Sequence, residues 1–392
     1  MSFRSRTESV LTPVADGWQR FWFDPVPMTT LGLVRIAYGV LAIGWTFSLL
    51  PHLYDLFGRD GLQPQRSPVE FSWTLLSFSN SDSAILGMWF VLLAASIALA
   101  VGWHSRIAAL IVFVCVLSFQ RQNIYVFNSG DVLIRLEALF LFLGPCGAAL
   151  SLDRRRTAGS FWSAQLRAPY ALRLMQIQLS LVYVVTVHDK LTGLTWNEGS
   201  AVSYALRQAD LANIAAPEWL TMNAMLMNFA TWGALAIELA LGILIWNRRL
   251  RPWVILAGVV LHLSILVGLA VAFFSFAIFV LYIAFIPPET AESWFHDKEA
   301  RERTFARLRP WRRKSAGVEI AKKPAKKKKA VAEPEYDDDE LVPTRSSHRL
   351  DNPELEEESP EEVQYPDRRS RRLARQGKIP ASDFVGSAAD QD

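Results

Sequence analysis

Between residues 29 and 288 the chain returns repeatedly to apolar runs of about 20 residues, the length a helix needs to cross a bilayer's hydrocarbon core. Nothing constrains the fold more. In lipid each backbone N–H and C=O must be satisfied inside its own segment, so such runs must be helices. Eight can be read, near 29–50, 84–103, 106–120, 131–150, 170–188, 225–246, 252–270 and 272–287. The last two form one long apolar stretch, which a break near 268–274 divides. The expected fold class is all-α: a polytopic transmembrane helical bundle of about eight spans.

The formal net charge of +3 conceals a split chain. Residues 1–297 carry 37 charged side chains, whereas the last 95 carry 42, of which 22 are basic and 20 acidic. That tail buries too little apolar surface to fold alone. Three segments follow: a cytoplasmic N-terminal segment at 1–28, a transmembrane domain at 29–288, and a charged, largely disordered cytoplasmic tail at 289–392. Within the tail, 301–314 sets Trp311 among arginines and suits anionic lipid headgroups. The remainder offers a surface to a cytoplasmic partner. A tethered tail with a matching acidic block argues against nucleic acid.

Arginine and lysine placement orients the spans. With the N-terminus inside, inner segments before the tail hold twelve basic residues and outer segments five. The positive-inside rule then puts both termini in the cytoplasm; the expected location is the plasma (inner) membrane. Residues 1–28 lack the apolar core of a cleavable signal, so the first span is expected to act as its own insertion signal. Cys115 and Cys146 lie in apolar runs with no CxxC spacing, so disulfide, zinc and thiol-redox readings fail and no metal is expected. No phosphate loop or serine elbow is present either. His52 and His104 read as polar residues at headgroup level.

Five ionisable groups fall within the spans: Arg35, Arg135, Glu137, Glu238 and His262. Each costs roughly 2.5–3.5 kcal/mol in mid-membrane unless it faces the interior with a partner. Arg35 or Arg135 pairing with Glu238 is one expectation, and a polar cavity is another. Glu238 and His262 reach similar depth if their spans form a hairpin.

Two polar knots share the outer face. The first, at 183–199, contains His188, Asp189, Lys190, Trp196, Asn197 and Glu198. Lys190 is a candidate base, because desolvation at a membrane lip lowers a lysine pKa, and His188 stands beside it. Its bland alternative is snorkelling to the interface. The second, at 120–131, has Asp131 as expected helix N-cap, while Gln122, Asn123 and Asn128 are amides available to a ligand. Arg135, Asp131, Trp196 and Glu238 complete the candidate ligand-binding set.

The pattern Gln122-Asn123, then Asn128-Ser129-Gly130-Asp131 with Arg135, then Gly144-Pro145 and Ser151-Leu152-Asp153, resembles a known family. It is similar to the membrane domain of vitamin K-dependent gamma-carboxylase and its bacterial relatives, the HTTM family. Tyr183, Lys190-Leu191, Gly193, Trp196, Gly199 and Tyr204 look like a second signature, and His262 like a third. The resemblance covers roughly residues 20–288. It implies chemistry on a reduced naphthoquinone such as menaquinol or vitamin K hydroquinone. Lys190 matches the family's base and His262 an assisting histidine. The animal enzyme has a lumenal domain after its spans that helps hold the protein substrate, and a charged tail takes that place here. Asn123 and Ile124 stand where the animal enzyme has a histidine. Both departures favour a small lipid-soluble substrate over a protein. The competing reading is a non-catalytic transport, lipid-handling or scaffold membrane protein.

Overall fold

The computed structural model describes residues 13, 15–62 and 73–298, all of one compact unit. The tail from 299 onward, including the 301–314 headgroup segment, lies outside the described residues. Eight principal helices occur among them. They are α1 (Thr29–Leu49), α2 (Asp82–Val101), α3 (Ser105–Gln122), α4 (Ser129–Leu143), α5 (Tyr170–Leu191), α6 (Ala224–Ile243), α7 (Arg251–Gly268) and α8 (Ala272–Ile283). A two-residue antiparallel pair joins β1 (Val26–Pro27) to β2 (Leu166–Arg167).

Six of these helices are long and apolar enough to cross a membrane. A seventh crossing exists if Phe273–Ile283 and Pro288–Lys298, bent by 88°, count as one span. The eighth expected span is α4, whose 15 residues reach only about 22 Å at 1.5 Å per residue. Polar groups shorten it, since its first turns carry Asp131, Arg135 and Glu137. The expected break in the last apolar stretch is present between Gly268 and Ala272. Asn213 staples it by donating to the carbonyls of Leu266 and Leu269.

Consecutive helices α1 to α4 pack as one group, α5 to α7 as another, and α8 touches α1, α4, α5 and α7. The bundle thus closes around α8. Large apolar side chains point outward along most helices, as lipid contact requires. Exposed tryptophans mark both ends, with Trp18, Trp103, Trp253 and Trp294 at one and Trp73 and Trp219 at the other. Such belts are the signature of headgroup-level anchoring.

Arg35 shows how this bundle handles a buried charge. It is fully buried and has no carboxylate partner among the described residues. Its guanidinium donates to the carbonyls of Leu99, Ala100, Cys146 and Leu150. Leu99 and Ala100 end α2, where carbonyls lack intrahelical partners and the helix dipole is negative. Gly102 follows in the left-handed region at φ 76°, which glycine adopts without strain. Arg35 therefore locks α1 to the exit of α2 and to the turn after α4. The expected pairing of Arg35 with Glu238 does not occur, because these carbonyls take all its reach.

Across the same end, Asp153 ties the α2–α3 turn. Its carboxylate accepts from the backbone N–H of His104 (2.9 Å) and Ser105 (2.8 Å) and from the Ser105 hydroxyl (2.8 Å). His104, at φ 45°, is thereby held in a conformation unfavourable for a non-glycine residue. Burial works to raise the Asp153 carboxyl, yet these hydrogen bonds and Arg156 outweigh it and hold it below the ordinary 3.8. Both cysteines are buried and free.

Two outcomes follow. Arg35→Ala leaves several buried carbonyls unanswered and lowers thermal stability in detergent by more than about 3 kcal/mol; Arg35→Lys, with three donors in place of five, recovers only part. The folded-state carboxyl of Asp153 is lowered, so its contribution is complete above pH 3.8 and is lost as pH falls through the folded value. The gap in unfolding temperature between wild type and Asp153→Asn should accordingly be constant near neutrality and close in acid.

Candidate functional site

The buried side of α5 runs through Leu172, Met175, Gln176, Leu179, Tyr183 and Val187. At about 100° per residue, Lys190 lies seven positions from Tyr183 and returns to that stripe. His188, five positions on, points about 140° away. The structure agrees. Lys190 is 21% exposed at its side chain, whereas His188 and Asp189 are 77% and 72% exposed and meet each other at 3.3 Å. His188 thus takes no part in the site, and Asp189 does not compete for Lys190.

The partner of Lys190 comes from α6. Its ammonium donates to both oxygens of Glu238, at 2.5 and 2.6 Å. Glu238 is 8% exposed at its side chain. This pair replaces the expected pairing of Glu238 with an arginine. The Trp196 ring, delivered by the connection after α5, lies 4.6 Å from the same ammonium, a cation–π distance. Three of the expected site residues therefore meet.

They open into a cavity of about 380 Å³. Apart from Ser264 of α7 its remaining walls are apolar, with Ala201, Val202 and Leu206 from the connection, Met227, Ala230 and Ala234 from α6, and Leu261 and Ile265 from α7. Small residues on α6 leave the space, and the Lys190–Glu238 pair supplies the polarity. One charge pair set in apolar walls is the usual design of a site for a small hydrophobic ligand.

His262 sits behind this cavity. It is 1% exposed, with Nε2 2.7 Å from the Tyr183 hydroxyl and Nδ1 3.2 Å from the Ser275 hydroxyl. The Tyr183 hydroxyl also lies 2.7 Å from that of Tyr282. Four polar groups from α5, α7 and α8 form one chain, and Gly258 gives Tyr282 its room, since a Cβ there would strike the hydroxyl. The α6–α7 hairpin brings Glu238 and His262 to one region, as expected. Tyr282 and Ser275 carried no motif; their only sign was a hydroxyl inside an apolar run, which must find a partner when buried.

The polar loop at 120–131 belongs to the same end of the bundle but not to the cavity. Asn123 donates to Leu56 O at 2.9 Å and accepts from the Tyr125 amide, bracing the loop. Asn128, rather than Asp131, is the N-cap of α4, and Asp131 completes a capping box from the third position. The other Asp131 oxygen accepts from the Trp45 indole at 2.6 Å. Arg135 donates to the Gln120 side chain at 2.8 Å, and Gln120 in turn donates to the Asp131 carbonyl. The side-chain oxygen of Gln122 is buried without a hydrogen-bond partner among the described residues. Helix capping and tertiary packing thus engage Asn123, Asn128, Asp131 and Arg135, and none of these four nor Gln122 lines the cavity.

Glu137 is the outlier. It is 1% exposed, and neither carboxyl oxygen has a hydrogen-bond partner among the described residues. A buried polar group with no partner weakens the fold, so Glu137→Leu should raise stability by about 1–3 kcal/mol in thermal unfolding. A fall of the same size would mean that Glu137 is partnered.

No curated protein and no solved structure matches this chain. A family model does: the HTTM domain matches residues 23–290. Those bounds enclose α1 to α8 together with the Lys190–Glu238 cavity and the 120–131 loop. The chain belongs to the HTTM family and is an integral, multi-pass membrane protein.

Proposed function

We propose that the protein binds a flat, lipid-soluble quinol in the cavity beside Lys190 and Glu238, and that this pair removes the proton from its hydroxyl. The observation that carries the reading is a charge pair opening into a largely apolar space of about 380 Å³ at a membrane face. A reduced naphthoquinone, menaquinol or vitamin K hydroquinone, suits that donor set. Its ring fits the apolar walls and the Trp196 face, and a hydroxyl reaches the pair. Once bound, it would supply two electrons and an ionisable hydroxyl.

The pairing reassigns roles within the site. A lysine hydrogen-bonded to both carboxylate oxygens is already a proton donor. Glu238 is then the group that takes the hydroxyl proton, and Lys190 keeps its charge to stabilise the anion left behind. His262 does not line the cavity and acts as a positioning residue, holding Tyr183 and Ser275. The end rich in Arg106, Arg154, Arg167, Arg173, Arg248 and Arg251 faces the cytoplasm in this reading. The cavity then opens at the outer face of the plasma (inner) membrane.

Protein purified with native lipid should carry a quinone detectable by mass spectrometry. Ala234→Phe fills the cavity without touching a charge and should remove it, at a folding cost of about 1–3 kcal/mol. Glu238→Gln should keep the quinol but lose the quinolate absorbance. A wild type free of quinone, or an Ala234→Phe protein that retains it, overturns the proposal.

A further inference from the structure

A second cavity lies at the opposite end of α5. Arg173 is about 25 Å from Lys190 along that helix, at 1.5 Å per residue, which places it at the other membrane surface. There Arg173, Arg248 and Arg251 line one cavity of about 310 Å³, walled in part by Phe21 and Trp246.

Two of these arginines are fixed. Arg173 donates to Phe21 O at 3.1 Å and to the Gln176 side chain at 2.9 Å, and lies 4.6 Å over the Phe21 ring. Arg251 donates to Ile245 O at 2.9 Å and to Phe285 O at 3.0 Å, and lies 5.6 Å over the Phe285 ring. Arg248 is exposed, and its side chain makes no hydrogen bond among the described residues. Glu289 is the one carboxylate on the rim, and it forms no ion pair with the three among the described residues. Three guanidinium groups against one lining carboxylate leave the cavity with a net positive charge. Guanidinium favours phosphate, which it meets with paired donors.

We propose that this cavity binds the phosphate of an anionic membrane lipid. Its depth is that of a headgroup, and exposed Trp253, Leu250 and Trp18 nearby offer the acyl chains an apolar, interfacial surface. The site is separate from the Lys190–Glu238 cavity and holds whether or not that cavity takes a quinol.

The test is native mass spectrometry of the full chain released from nanodiscs of phosphatidylglycerol or of phosphatidylcholine. Wild type should retain one phosphatidylglycerol and no phosphatidylcholine. Arg248→Gln, which breaks no internal hydrogen bond, should lose about tenfold in retention, the worth of one charged hydrogen bond. Arg249→Gln, an exposed neighbour that does not line the cavity, should retain the lipid as wild type does. Equal loss in both variants would reduce the effect to bulk charge and overturn the proposal. Equal retention of the two lipids would do the same. Millimolar inorganic phosphate displacing the lipid completely would also overturn it, making this a free-anion site.

Discussion

A charge placed within a bilayer must be met by another group of the protein, and the Lys190–Glu238 pair is where that requirement produces a site. Either residue alone would be an uncompensated ion near lipid, costly enough to disfavour its own span. Together they join the end of α5 to α6. That join fixes the wall from which the small residues of α6 step back, and the cavity is the space they leave. Structure and proposed chemistry thus have one origin, because the groups that satisfy each other's charge are those a ligand would meet.

The same requirement is met differently elsewhere. Arg35 takes backbone carbonyls, which gather three chain segments without spending a carboxylate. Arg135 takes Gln120. Glu238 remains free for Lys190 because both arginines are engaged. The interior charges are therefore dispersed over separate local tasks, which does not favour a transport path lined by all of them. At the opposite end Arg173, Arg248 and Arg251 share a cavity with a single carboxylate, Glu289, and form no ion pair with it among the described residues.

Much of this was legible in the residues. Apolar runs placed all eight helices and the break after Gly268. Turn by turn, α5 itself places Lys190 beneath Tyr183 and turns His188 away. The family signatures pointed to Lys190, Trp196 and His262. What periodicity could not provide was partnership. Glu238 lies 48 positions from Lys190, and only the packing of α5 on α6 selects it over Arg35 or Arg135. The amides of the 120–131 loop looked free for the same reason, since Leu56 and Trp45, which occupy Asn123 and Asp131, come from distant parts of the chain. The span count fell short where polar residues trimmed α4 to 15 residues.

The most direct measurement is a double-mutant cycle on thermal stability in lipid, with Lys190→Met, Glu238→Leu and the two combined. Each single change strands a partly buried charge and should cost about 3–5 kcal/mol, whereas the double change, which removes both charges, should cost much less than either. Additive losses would contradict the account, for they would mean that Lys190 and Glu238 do not depend on each other.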